Sequence, residues 1–106
     1  MSRGPIELGR FAEPSVYVLV SLSDGPKHGY AIMTDVEALS GRPMGPGTLY
    51  GVLDRLERRG LIEALPAEDR RRPYRLTEVG VATLEAQLAS LQGFVQTGMA
   101  RLDERT

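Results

Sequence analysis

The sequence predicts a mainly α fold with a two-stranded wing: a winged helix-turn-helix followed by one long C-terminal helix. Three observations predict it. A capped, two-faced helical pattern runs from Pro46 to Gly60. A short hairpin pattern with an arginine triplet, Arg70-Arg71-Arg72, follows it. A 3-4 apolar repeat then extends from Val81 to Leu102. With 106 residues the chain reads as an arm (1–12), a winged helix-turn-helix (13–77) and a C-terminal helix (78–106).

Residues 1–12 are mixed in character and contain Gly4 and Pro5, which predicts a flexible arm. Pro14 suits the opening of a helix, and Val16–Leu22 is almost wholly apolar, so 14–22 reads as a buried first helix; its valines would also suit a strand. Ser23-Asp24-Gly25-Pro26 is a turn. Ile32, Met33, Val36 and Leu39 share a face of a second helix over His28–Leu39, ended by Ser40-Gly41. Arg42–Gly45 is the linker to the third.

In the third helix Pro46 takes the first position, where its missing N–H is not needed. Gly60 suits the left-handed residue just past the end. Leu49, Val52, Leu53 and Leu56 form the buried stripe, leaving Thr48, Tyr50, Gly51, Asp54, Arg55 and Arg58 outward or flanking. That face is short, polar and partly basic, as a helix lying in a major groove must be. Leu61–Leu65 and Arg71–Leu76 then make a hairpin around Pro66–Arg70. Pro73 cannot donate to a ladder, so its nitrogen is expected at an unpaired edge.

Thr77 caps the last helix, with Glu78 in its positive first turn. Val81, Leu84, Leu88, Leu91, Val95, Gly98 and Leu102 follow at heptad spacing. A helix of ~35 Å or more cannot bury such a seam on a small domain. Leu84, Leu88, Leu91, Val95 and Leu102 are therefore expected at a homodimer interface; packing on the first helix of the same chain is the alternative. Gly93 and Gly98 each weaken the helix by ~1 kcal/mol relative to Ala and either admit close backbone approach or mark a bend.

The chain has no cysteine, which excludes disulfides, thiolate catalysis and cysteine-ligated zinc. His28 is its one histidine, so no metal site and no cofactor are expected, and no enzyme activity. No apolar signal core and no run near ~20 apolar residues predict a cytoplasmic protein with no membrane partner. The net charge is −1, yet residues 42–75 hold eight arginines against five acids, a local balance of +3. Phosphate attraction follows that local field.

His28-Gly29-Tyr30, Gly47-Thr48-Leu49-Tyr50, Arg55-Leu56-Glu57 with Gly60-Leu61-Ile62, and Arg70 through Gly80 occur in order and at compatible spacing. This combination, over about residues 14–84, resembles the PadR family of transcriptional regulators, and within it the smaller subgroup with one dimerisation helix. The resemblance implies a homodimeric winged helix-turn-helix repressor bound to a pseudo-palindromic double-stranded DNA operator. It places Pro46, Gly47, Thr48, Tyr50 and Arg55 on the reading helix and Arg70, Arg71 and Arg72 on the wing; Lys27 and His28 complete the expected DNA contacts. Tyr74 and Leu76 would pack the wing on the body. The family often has a hydroxyl residue where this chain has Gly45, so one hydroxyl-to-phosphate bond is expected to be missing.

Some relatives bind flat aromatic compounds between subunits. Tyr17, Phe94 and Met99 are the candidates here for a small hydrophobic or aromatic effector, against ordinary core or dimer packing. The competing function is a winged-helix protein-interaction module that does not read DNA, since fold does not determine function.

Overall fold

The computed structural model describes residues 4, 8 and 11–105. The expected arm over 1–12 lies largely outside the described residues. The elements are α1 (Pro14–Leu22), β1 (Lys27–His28), α2 (Gly29–Ser40), α3 (Pro46–Arg58), β2 (Ile62–Ala64), β3 (Pro73–Leu76) and α4 (Glu78–Asp103).

Helix, not strand, wins at α1. Tyr17, Val18, Leu19, Ser21 and Leu22 are all buried, so the element is apolar around most of its circumference and sits inside the domain. Around it pack Ile32 and Val36 of α2, Leu49, Val52, Leu53 and Leu56 of α3, Ile62 of β2 and Leu84 of α4. α2 ends as expected at Gly41, in the left-handed region at φ 72°. Glu37, in the last turn of α2, accepts from the Met44 N–H at 3.2 Å and so fastens the linker before α3.

The end of α3 is a Schellman motif. The Gly60 N–H reaches the Glu57 carbonyl at 3.0 Å and the Leu61 N–H reaches Leu56 at 3.0 Å, with Gly60 at φ 75°. Leu56 and Leu61, the apolar pair of that motif, are both buried.

The sheet has three strands, not two. Its order is β1-β3-β2, antiparallel throughout, with Lys27 opposite Tyr74 and Ile62 opposite Leu76. β3 is thus central, and Pro73 does not lie at an open edge. It is tolerated because it is the first residue of its strand, while its carbonyl still accepts from the Leu65 N–H at 2.8 Å. The hairpin strands also pair over a shorter span than expected: Arg71 makes only an isolated bridge with Glu68.

β3 hands over to α4 at a crowded point. The Thr77 N–H donates to the Leu61 carbonyl at 3.1 Å. Its hydroxyl donates to the Gly60 carbonyl at 2.6 Å and accepts from the Gly80 N–H at 3.0 Å, which is the expected cap. A Cβ on Gly80 would lie 1.9 Å from the Leu61 oxygen. Glycine is required there by contact.

α4 is buried in the domain only at its start, at Gly80 and Leu84, and Leu91 further on is half-buried. Leu84 is 4% exposed and part of the core, so it serves its own chain and not the outward seam. Beyond it Leu88 is 43% exposed, and Phe94, Val95, Met99 and Leu102 are exposed too. The 57 × 31 × 20 Å envelope reflects the projecting helix. Gly93 is not on the seam. It lies nine residues after Leu84, about 180° round the helix at ~100° per residue. Gly98, by the same count, sits at the seam's edge.

Gly80→Ala should lower stability by about 1–3 kcal/mol through overpacking against the Leu61 carbonyl. A helix-propensity effect alone would raise it by ~1 kcal/mol. Urea unfolding of the two proteins decides the sign.

Candidate nucleic-acid interface

The reading face begins at the N-terminus of α3. Gly45 holds the cap position in an extended conformation, φ −71° and ψ 157°, with no side-chain capping bond. The first-turn amides therefore have no intrahelical acceptor and face outward. Thr48 and Tyr50 are exposed while Leu49 and Leu53 are buried, so the two faces of α3 separate as the periodicity requires. Arg55 is exposed two turns on from Thr48, beside Glu13, Pro14 and Arg59.

Tyr50 is held by a glycine. A Cβ on Gly29 would lie 2.5 Å from the Tyr50 hydroxyl oxygen and 3.0 Å from Cζ. The ring thus rests on the first residue of α2, with 52% of the residue left exposed. The small residue beside His28 is what lets α3 bring its tyrosine across α2.

This contact closes one side of a recess of about 390 Å³ lined by His28, Gly29, Tyr30, Tyr50, Arg70, Arg71, Arg72 and Tyr74. Five of the expected DNA-binding residues meet there from three separate elements. Burial pushes the Tyr74 hydroxyl above its ordinary pKa; Glu57 and Tyr50 push the same way, and Arg72 opposes them. At neutral pH the hydroxyl is a neutral donor.

The wing tip is a two-residue turn. The Glu68 N–H donates to the Arg71 carbonyl at 2.7 Å and the Arg71 N–H returns the bond at 2.8 Å. Asp69 and Arg70 both have positive φ, 49° and 67°, as in a type I′ hairpin. Aspartate tolerates that region; arginine does so at a cost.

Ion pairing sorts the basic residues. Arg58 is bound to Asp54 at 3.1 Å and Arg75 to Glu63 at 2.6 Å. Lys27 donates to the Ser21 carbonyl and to Asp24, holding the Asp24 carboxyl below its ordinary pKa. It clamps the turn between α1 and β1, with its ammonium engaged within the chain. Among the described residues Arg55, Arg70, Arg71 and Arg72 have no carboxylate partner.

His28 occupies the cap position of α2 without a side-chain capping bond, and its Nδ1 is buried with no hydrogen-bond partner. Among the described residues no cluster of His, Asp or Glu could hold a metal ion. Arg42, which no sequence pattern singles out, lines a second recess of about 270 Å³ with Ser40, Gly45 and Thr48 beside the start of α3. Tyr30 and Tyr74 join the first recess without having been expected there; for Tyr30 the His-Gly-Tyr motif carries the signal. The expected effector residues are dispersed. Tyr17 is a core residue with Phe11 edge-on at 5.1 Å, whereas Phe94 and Met99 stand exposed on α4, so the three enclose no cavity within one chain.

The profile of the transcriptional regulator PadR-like family matches residues 18–86, a span that takes in α2, α3, the wing and the start of α4. The chain belongs to that family. This PadR-like chain is also 44% identical over 82 residues to a 37.1 kDa protein in transposon TN4556 of Streptomyces fradiae. The match covers 77% of this chain and 24% of that relative, so the chain spans about a quarter of its length. Its fold is similar to that of a PadR family transcription regulator from Clostridium difficile R20291, with a TM-score of 0.75 at 24% identity, covering 86% of this chain and 98% of the other. RosR, known from H. salinarum, in the complex called RosR-S1, gives a TM-score of 0.71 at 29% identity over 80% of this chain and 77% of that one. The family is one of transcriptional regulators, and among the described residues of this chain no helix is long and apolar enough to cross a membrane.

Arg70→Gly should relieve the turn and raise stability by up to about 1 kcal/mol. Affinity for duplex DNA should fall in the same variant. Denaturation and binding isotherms on one preparation test whether the strained residue is kept for its charge.

Proposed function

We propose that this chain is a homodimeric repressor that reads a pseudo-palindromic DNA operator through α3 and the wing. The observation that carries this reading is the partition of arginines. Those facing carboxylates are neutralised, and the uncompensated Arg55, Arg70, Arg71 and Arg72 stand with Thr48 and Tyr50 around the reading face. Residues 13–77 form the reading unit, and 78–106 supply the dimerising helix. The exposed Leu88, Val95 and Leu102 favour a second α4 as partner, because their own domain does not cover them; Leu91, half-buried beside Phe11 and Pro14, would join them at the edge. A two-fold dimer calls for two half-sites related by the same symmetry. Action on DNA places the protein in the cytoplasm. A small hydrophobic or aromatic effector would act between the two α4 helices near Phe94 and Met99, by binding one spacing of the reading helices better than another.

Binding to duplex DNA from the region upstream of the protein's own gene tests the reading. Tyr50→Ala should lose selectivity between operator and random duplex while remaining folded. Replacing Arg70, Arg71 and Arg72 by Ala should flatten the dependence of log K on log salt by ~0.9 for each phosphate that these arginines neutralise. An unchanged slope would remove the wing from the interface. Absence of any specific duplex binding would favour a protein-interaction module instead.

Sedimentation tests the assembly. The wild-type chain should be a dimer at micromolar concentration, and Leu88→Asp should shift it to monomer. A wild-type monomer would overturn the dimer.

A further inference from the structure

The recess beneath the wing holds more aromatic surface than a duplex backbone engages. Phosphates of an intact duplex would satisfy Arg70, Arg71 and Arg72 at the rim. Three tyrosines and an imidazole line the same space, and stacked bases offer edges to a protein, not ring faces. A volume of about 390 Å³ is within the range of small-ligand sites. Tyr30 is 73% exposed at its mouth, and Tyr50 is fixed against Gly29 at its side.

We propose that this recess binds a free nucleoside monophosphate, its base among Tyr30, Tyr50 and Tyr74 and its phosphate on the wing arginines. Aromatic side chains hold bases of any sequence by stacking, and arginine pairs bidentately with phosphate. The negative end is directed to the rim because Glu57 bears on Tyr74 from the side of α3, whereas Arg70, Arg71 and Arg72 carry no carboxylate of their own among the described residues. The Tyr74 hydroxyl is available as a neutral donor. Since the same arginines face DNA in the proposed function, nucleotide and operator would exclude each other. Only that competition rests on the DNA reading; occupancy of the recess does not.

The test is calorimetric titration of the full chain at low salt with adenosine 5′-monophosphate, adenosine and inorganic phosphate, in the absence of DNA. The monophosphate should bind about tenfold more tightly than either half-ligand. Tyr30→Ala and Arg72→Ala, both at exposed positions, should each weaken it about fivefold or more with unchanged thermal unfolding. Monophosphate binding no tighter than that of phosphate, or indifferent to both substitutions, overturns the proposal. A deoxyadenosine tetranucleotide that binds about tenfold more tightly than the monophosphate would assign the recess to an unpaired strand, which also overturns it. A separate displacement assay, in which the monophosphate releases a labelled operator duplex, reads the competition; its failure with the titration intact would count against the DNA assignment of the recess arginines and not against the site.

Discussion

The carbonyl of Leu61 is the point on which the architecture turns. It follows the end of α3, it receives the Thr77 N–H at the end of β3, and the Gly80 backbone lies against it. Three segments are thereby fixed to one another: the reading helix, the wing and the helix that leaves the domain. The Thr77 hydroxyl ties the same junction twice more, to Gly60 and to Gly80. None of these groups is large or apolar. Their effect is geometric, since the space between the Gly80 backbone and the Leu61 carbonyl would not admit even a Cβ. A change in the direction of α4 would therefore bear directly on the end of α3 and on the wing.

Charge is organised just as locally. A protein of net charge −1 can present a positive face because eight arginines against five acids fall within residues 42–75. Asp54 and Glu63 occupy Arg58 and Arg75, and Asp24 occupies Lys27. Arg55, Arg70, Arg71 and Arg72 have no such partner among the described residues. Exposed pairs of this kind contribute little to stability, about 0–1 kcal/mol each. Their larger consequence is to determine which cations remain available to an external anion.

The sequence is informative where a rule acts over many residues and weak where one contact decides. The stripe of α3, the glycines at 41 and 60 and the Thr77 cap are legible, because spacing and capping chemistry are local. β1 is not: two residues carry no periodicity, and their pairing with β3 depends on how α2 and the wing meet. That unforeseen strand also explains why Pro73 sits centrally and not at the expected edge. Position beside His28 points Lys27 at DNA, and no pattern along the chain shows that the turn also brings Asp24, three residues earlier, onto its ammonium. Leu84 obeys the heptad and yet faces inward, because the first turns of α4 pack on the domain before the helix departs. Gly93 adjoins the seam in sequence, yet the helical rotation carries it to the opposite face. The recess tyrosines belong to three elements, and no pattern along the chain brings them together.

These placements bear on how a signal on α4 would reach DNA. The apolar part of α4 begins where the core ends, between Leu84 and Leu88. Residues before that boundary pack beside the Leu61 junction; beyond it Gln87 and Leu91 still line a recess with Phe11 and Pro14, while Leu88, Val95 and Leu102 are exposed. A second helix laid on Leu88, Val95 and Leu102 therefore holds its grip outside the domain and meets the rigid junction within about a turn. Bending at Gly98 would alter only the distal half of such a pair, whereas a shift near Leu88 would move the whole reading unit. An effector that changes operator spacing must for that reason act on the proximal half of the seam or displace both helices together. A ligand near Phe94 and Met99 would therefore have to displace both helices together in order to re-aim α3.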